Sequence, residues 1–161
     1  MPQVTKEELH KKVLDRKDEL VSLCQDLIRI KNQSPLDLQE PAVDFVRGYL
    51  ASHGIESQRL VAYAGEDYPV IYAHIGSDEG FRVVLNGHVD VVPVGNLSGW
   101  DFDPFGAEVF DGKIHGRGAS DMKCGLAVLL FSMALLNESG ANLRGDIRLH
   151  VATDEEIAGT G

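Results

Sequence analysis

Thiols are scarce in this chain: Cys24 and Cys124 are the only two among 161 residues. A disulfide framework is thereby excluded, and a reducing, cytoplasmic compartment is the default expectation. Basic charge is also in short supply. Fifteen Lys and Arg face 25 Asp and Glu, a formal net charge of −10 with a pI near 4.9. Nucleic acid and anionic membrane surfaces both call for a basic face, so neither is expected as a partner. Long apolar runs are missing. The longest, residues 125–136, is already interrupted by Ser132 and falls short of the roughly 18 residues of a membrane span. Met1–His10 is polar with no apolar segment behind it, so no secretory signal is expected. Internal repeats and low-complexity tracts are absent. So is a P-loop, because no Gly-Lys-Ser/Thr follows the glycines at 116 and 118, and so is a Gly-x-Ser-x-Gly nucleophile elbow.

What remains is ordinary globular composition, 43% hydrophobic and 25% charged, in a length that suits one domain with a real core. Acidity is unevenly placed. Residues 1–31 hold 7 basic and 6 acidic side chains, whereas residues 32–161 hold 8 and 19. The later part therefore concentrates carboxylates that a metal or a cationic ligand could use.

Periodicity predicts one long amphipathic helix over residues 6–31, with Thr5 as N-cap and Glu8 as its capping-box partner. A second helix is expected from about Glu40 to His53, stopped by Gly54. Strand signals follow at residues 55–63, 70–75 and 81–87. Residues 91–104 read as a loop. Residues 107–110 and 113–115 flank Asp111-Gly112, a hairpin turn. Residues 122–137 form an apolar helix and residues 146–153 a last strand, with Ile147, Leu149 and Val151 on one face. This order argues an α/β fold, a helix-covered mixed β-sheet. In open α/β sheets ligands gather beyond the carboxyl ends of strands. Two strand ends here carry metal-type side chains.

His88-Val89-Asp90 follows one of them. Past a strand end, alternate residues turn to one side, and a metal-bound imidazole usually donates its other N–H to a carboxylate; a hydrogen-bonded loop histidine fits the same text. Asp121 follows Gly116-Arg117-Gly118-Ala119-Ser120 at a helix start, where it could equally serve as N-cap. Asp154-Glu155-Glu156 follows the last strand. Adjacent carboxylates repel and need a cation or proton nearby, although an exposed helix start would also accept them. Two consecutive glutamates can divide labour, one ligating a metal and the other handling a proton. His10, His53, His74, His115 and His150 read as structural or solvated, and Cys124 as packing.

Together, residues 85–93, Trp100-Asp101-Phe102-Asp103-Pro104-Phe105, residues 111–123 and Thr153-Asp154-Glu155-Glu156 resemble, in order and spacing, the zinc aminoacylase/carboxypeptidase family. Its members include acetylornithine deacetylase, succinyl-diaminopimelate desuccinylase and several di- and carboxypeptidases. The resemblance implies the N-terminal part of a zinc-exopeptidase-like catalytic domain over residues 1–161. It implies a two-zinc site, with Co²⁺ or Mn²⁺ as possible substitutes: His88 on one ion, Asp121 bridging, Glu156 on the second. Asp90 would orient His88, and Glu155 would be the general base for a bridging water. The reaction would be hydrolysis of an N-acyl amino acid or short peptide, deacetylase/desuccinylase-like, with a dipeptidase or tripeptidase as the rival and a non-catalytic metal-binding or assembly module as the alternative of another class. A cis peptide at Asp121–Met122 is implied too. Cys124 and Ala158 stand where the family usually has glycine or another small residue. Family members are more than twice as long and supply further ligands and a lid or dimerisation domain downstream. The expectation is therefore a homodimer for the full-length protein and no activity for these 161 residues alone.

Overall fold

The computed structural model describes residues 4–62, 65–77 and 79–157. A capping box opens α1 (Lys6–Asp15): the Thr5 hydroxyl accepts from the Glu8 N–H, and the Glu8 carboxylate accepts from the Thr5 N–H. The single helix expected over residues 6–31 is two. It breaks at Arg16 (φ −110°, ψ 19°), and α2 runs over Lys17–Arg29. The reason is tertiary. The Arg16 guanidinium is drawn to Glu19 at 2.7 Å and to Glu138 at 2.6 Å, and it stacks over Phe131. α1 buries none of its residues, while α2 buries Leu23, Cys24, Leu27 and Ile28.

After α3 (Glu40–Ser52), Gly54 takes φ +71° and ends the helical segment, as expected. The strands are β1 (Ser57–Ala62), β2 (Gly65–Gly76), β3 (Phe81–His88), the hairpin pair β4 (Glu108–Phe110) and β5 (Lys113–His115), and β6 (Gly145–Ala152). The expected strand over 55–63 is thus shorter at its start, and its last residue, Tyr63, lies outside the described residues, as does Ala158. Asp111 and Gly112 both adopt positive φ, the geometry of the hairpin turn.

Four strands form a sheet in the order β1-β2-β6-β3. β1/β2 and β2/β6 are antiparallel, whereas β3/β6 is parallel, with His88 opposite Ala152. The sheet is mixed, as its alternation with helices implied. Ile71, Ala73, Leu149 and Val151 face the helices and are buried. α3 lies against β1 and β2, α4 (Cys124–Glu138) lies against β3, and α2 packs on α4. By length and composition Ala119–Glu138 could cross a membrane. Here it is bent at Asp121–Met122 and buries Leu126, Ala127, Leu130, Phe131 and Met133 in the core.

The Glu138 carboxyl reports on the helix break. Burial works to raise it, but His53 and Arg16 outweigh that and hold it below its ordinary 4.5. Stability from a carboxyl depressed on folding is present above its unfolded pKa and lost as pH falls through the folded one. Glu138 is 39% exposed, so screening discounts the effect. Glu138→Gln is expected to cost about 1 kcal/mol or less at neutral pH. Urea melts should show that difference vanish as pH falls well below 4.5.

Candidate metal centre

The parallel pairing of β3 and β6 brings two loops side by side. His88 ends β3, and the Val89 N–H still donates to the Ala152 carbonyl at 3.0 Å. Beyond β6, Thr153 is anchored by its hydroxyl, which donates to the Pro69 carbonyl at 2.9 Å, and residues 154–157 make a turn. The segments carrying His88-Val89-Asp90 and Asp154-Glu155-Glu156 therefore meet at one corner of the sheet.

Asp90 joins them. It is fully buried. Its Oδ1 accepts from the Glu155 N–H and its Oδ2 from the Glu156 N–H, each at 3.2 Å. His88 Nδ1 lies 3.4 Å from Oδ1 and 3.1 Å from the Asp90 carbonyl oxygen. Burial alone would raise the Asp90 carboxyl. His88, the Ser34 hydroxyl and the Glu156 amide outweigh it and hold the group below its ordinary value.

With Nδ1 so engaged, His88 turns Nε2 outward. That nitrogen lies 3.1 Å from Asp121 Oδ1 and 3.7 Å from Glu155 Oε2. Burial opposes charge on the imidazole, but Asp90 and Asp121 prevail and push its pKa up to about 9. Asp121 is delivered by a kink rather than by a regular helix start. Gly118 takes φ +79°, and Asp121 (φ −131°, ψ 103°) and Met122 (φ −130°, ψ 31°) are non-helical before α4 begins at Cys124. The helix expected from 122 thus starts two residues later, and Asp121 is not its N-cap. The Asp121–Met122 peptide is cis, as the resemblance implies. Gly118 has no room for a side chain: a Cβ would meet Val91 Cγ1 at 2.4 Å.

Ligand atoms of His88, Glu155 and Glu156 lie within 4.8 Å of one another. Asp121 is 78% and Glu155 56% exposed, so the cluster forms an open shelf over a buried base. Glu156 is held above its ordinary value, first by burial and then by Asp121, Asp90 and Glu155 against the pull of His88. Imidazole plus hard carboxylates, with a buried carboxylate behind the imidazole, is a donor set that fits Zn²⁺ and other divalent ions. The residues present therefore fit a metal. Of the residues singled out in the sequence, His88, Glu155 and Glu156 come together at the shelf, Asp121 lies against His88, and Asp90 sits beneath. Three others were not anticipated. Ser34 on Asp90, and the buried pair Asn32 and Gln39 behind it, are polar side chains in what reads as a plain connector. Their one sequence signal is the Asn-x-Ser-Pro turn text directly after a helix.

A helix-covered mixed sheet thus presents a cluster of metal-type side chains at two parallel strand ends. Residues 84–161 match the family model described as Peptidase family M20/M25/M40. The chain is related to that family over this segment, as the motif resemblance implied. A succinyl-diaminopimelate desuccinylase from Rhodospirillum centenum is 37% identical over 138 residues, 84% of this chain and 35% of the relative. The M20 family metallo-carboxypeptidase Sso-CP2 of Sulfolobus solfataricus superposes with a TM-score of 0.76 at 27% identity, covering 87% of this chain and 32% of that one. Human carnosine dipeptidase 1 shares the fold with a TM-score of 0.84 at 23% identity, covering 98% of this chain and 36% of that one. The chain thus spans about a third of the length of these relatives.

The Asp90 geometry has a direct test. Both carboxylate oxygens accept backbone N–H groups, and an amide offers only one acceptor. Asp90→Asn should therefore leave a buried donor facing a donor and lower stability by about 1–3 kcal/mol. Asp121→Asn, on the exposed shelf, should change it by less than about 0.5 kcal/mol. Parallel urea melts at neutral pH check the contrast.

Proposed function

We propose that this chain supplies part of the metal site of a zinc-dependent amidohydrolase of the M20 type, acting on N-acyl amino acids or short peptides. The observation that carries this reading is the convergence of His88 Nε2, Asp121 and Glu155 at 3.1–3.7 Å over a buried Asp90. His88, Asp121 and Glu156 would hold two zinc ions between them, Asp121 as the bridge, with Co²⁺ or Mn²⁺ able to substitute. When bound, the metal polarises the scissile carbonyl and acidifies the attacking water.

The chain's own residues do the rest. Asp90 holds the His88 tautomer with Nε2 outward, and by its two amide contacts it sets where the Glu155 and Glu156 side chains start. Glu155 accepts a proton from the attacking water at Oε2 as the C–O bond forms. It then delivers that proton to the leaving nitrogen as the C–N bond breaks. Water and amide become a carboxylate and an amine. Of the acyl groups available, succinyl is our first choice, supported by 37% identity to a desuccinylase. A homodimer in the complete protein is part of the same proposal. So is inactivity of the 161 residues alone, since they supply one imidazole and a few carboxylates for two ions.

Immunoblotting of source cells against this segment identifies the natural product to be tested. In that form, hydrolysis of N-succinyl and N-acetyl amino acids and of dipeptides should be abolished by a chelator and restored by Zn²⁺. Glu155→Gln should lower kcat by about 10²- to 10⁴-fold with zinc content unchanged. Activity that survives chelation, or full activity in Glu155→Gln, would contradict the proposal.

A further inference from the structure

Lys123 is a lysine with no exposed surface at all. It sits two residues after Asp121, at the end of the kink, and its side chain runs inward along Gly118. Its Nζ donates to the Ile30 carbonyl at 2.8 Å, at the end of α2, and to Asn32 Oδ1 at 2.7 Å. Asn32 is itself fully buried, and it passes the connection on. Its Nδ2 donates to the Val89 carbonyl at 2.9 Å, in the middle of His88-Val89-Asp90, and to Gln39 Oε1 at 3.1 Å. Gln39 in turn donates to Ser34 Oγ at 3.3 Å, and Ser34 reaches Asp90. Backbone bonds close the circuit: the Ser34 N–H donates to the Val91 carbonyl at 2.9 Å and the Val91 N–H to the Asn32 carbonyl at 3.4 Å.

Burying an ammonium costs several kcal/mol unless acceptors surround it. A Met at this position would fill the space without that cost. The location of the acceptors suggests what Lys123 does there. One end of its chain is the backbone that carries Asp121, and the other end is two hydrogen bonds from the backbone that carries His88. Among the described residues, no strand pairing links these two segments directly.

We propose that Lys123 is a positioning residue: through Asn32 it fixes the Asp121 kink against the His88–Asp90 loop and so sets the spacing of the metal-binding side chains. This rests on the metal reading above for its functional meaning, but the positioning itself is a property of the metal-free chain. Outer-shell partners of metal ligands typically carry 10- to 100-fold in metal affinity.

The test uses the 161-residue chain, wild type against Lys123→Met and Asn32→Ala, with two readouts. In metal-free protein, hydrogen exchange at the Val91, Glu155 and Glu156 amides should accelerate by about tenfold or more in both variants, while amides within α4 keep their wild-type rates. In a Co²⁺ titration, both variants should bind about 10- to 100-fold more weakly, and the double variant no more weakly than the worse single one, because the two residues act in series. Should Lys123→Met fail to fold, Asn32→Ala decides, since it cuts the link while leaving Lys123 bonded to Ile30. Exchange that rises uniformly across the sheet, or that stays unchanged at those three amides, would overturn the proposal as a site-positioning device. A wild-type chain that binds no Co²⁺ would overturn the metal reading instead, and the exchange readout would still decide this one.

Discussion

A buried carboxylate with more partners than its own charge can satisfy cheaply is the constraint on which this site depends. Asp90 has no exposed surface, yet it stays ionised because two backbone amides, a hydroxyl and an imidazole converge on it. Those partners come from three parts of the chain: the strand end that bears Asp90 itself, the connector after α2, and the turn after β6. Remove the charge and each of them loses its reason to stand where it does. The outward aim of His88 Nε2 is a consequence, since Nδ1 faces Asp90. So is the presentation of Glu155 and Glu156 from adjacent amides that grip one carboxylate.

The sheet makes this convergence possible. Parallel pairing of β3 with β6 puts two carboxyl ends in register, His88 beside Ala152, and the residues just beyond them become neighbours although 65 positions separate Asp90 from Glu155. The third segment, at Asp121, arrives by a different route. A glycine in left-handed geometry and a two-residue departure from helical torsions bring its carboxylate 3.1 Å from the imidazole. A regular N-cap would have directed that side chain at its own helix. The related proteins share this core across a third of their length, with chemistry that their names give as desuccinylation, carboxypeptidase and dipeptidase action.

Much of this could be read from residues alone, for physical reasons. β-branched runs ended by glycine marked β3, and metal-type side chains directly after β3 and β6 marked the site. Asp90 was legible because His-x-Asp past a strand end is the spacing that lets a carboxylate support an imidazole. The helix break at Arg16 was not legible. Residues 6–31 keep amphipathic spacing across it, and the pull comes from Glu138 on a helix more than a hundred residues away. Nor was the arm formed by Lys123, Asn32 and Gln39. Lysine, asparagine and glutamine ordinarily mark surface, and only the assembled fold shows that each is buried with partners. Cys124 was expected to be simple packing, and its thiol also interacts with that of Cys24, which favours loss of the first proton from the pair.

The most direct measurement is a crystal structure of the zinc-soaked chain with an anomalous difference map at the zinc edge. The account predicts an ion about 2.0–2.1 Å from His88 Nε2, with Asp121 on the same ion. It also predicts that Asp90 remains off the metal, its oxygens still receiving the Glu155 and Glu156 amides. An ion ligated by Asp90 itself, or bound at His88 Nδ1, would contradict it.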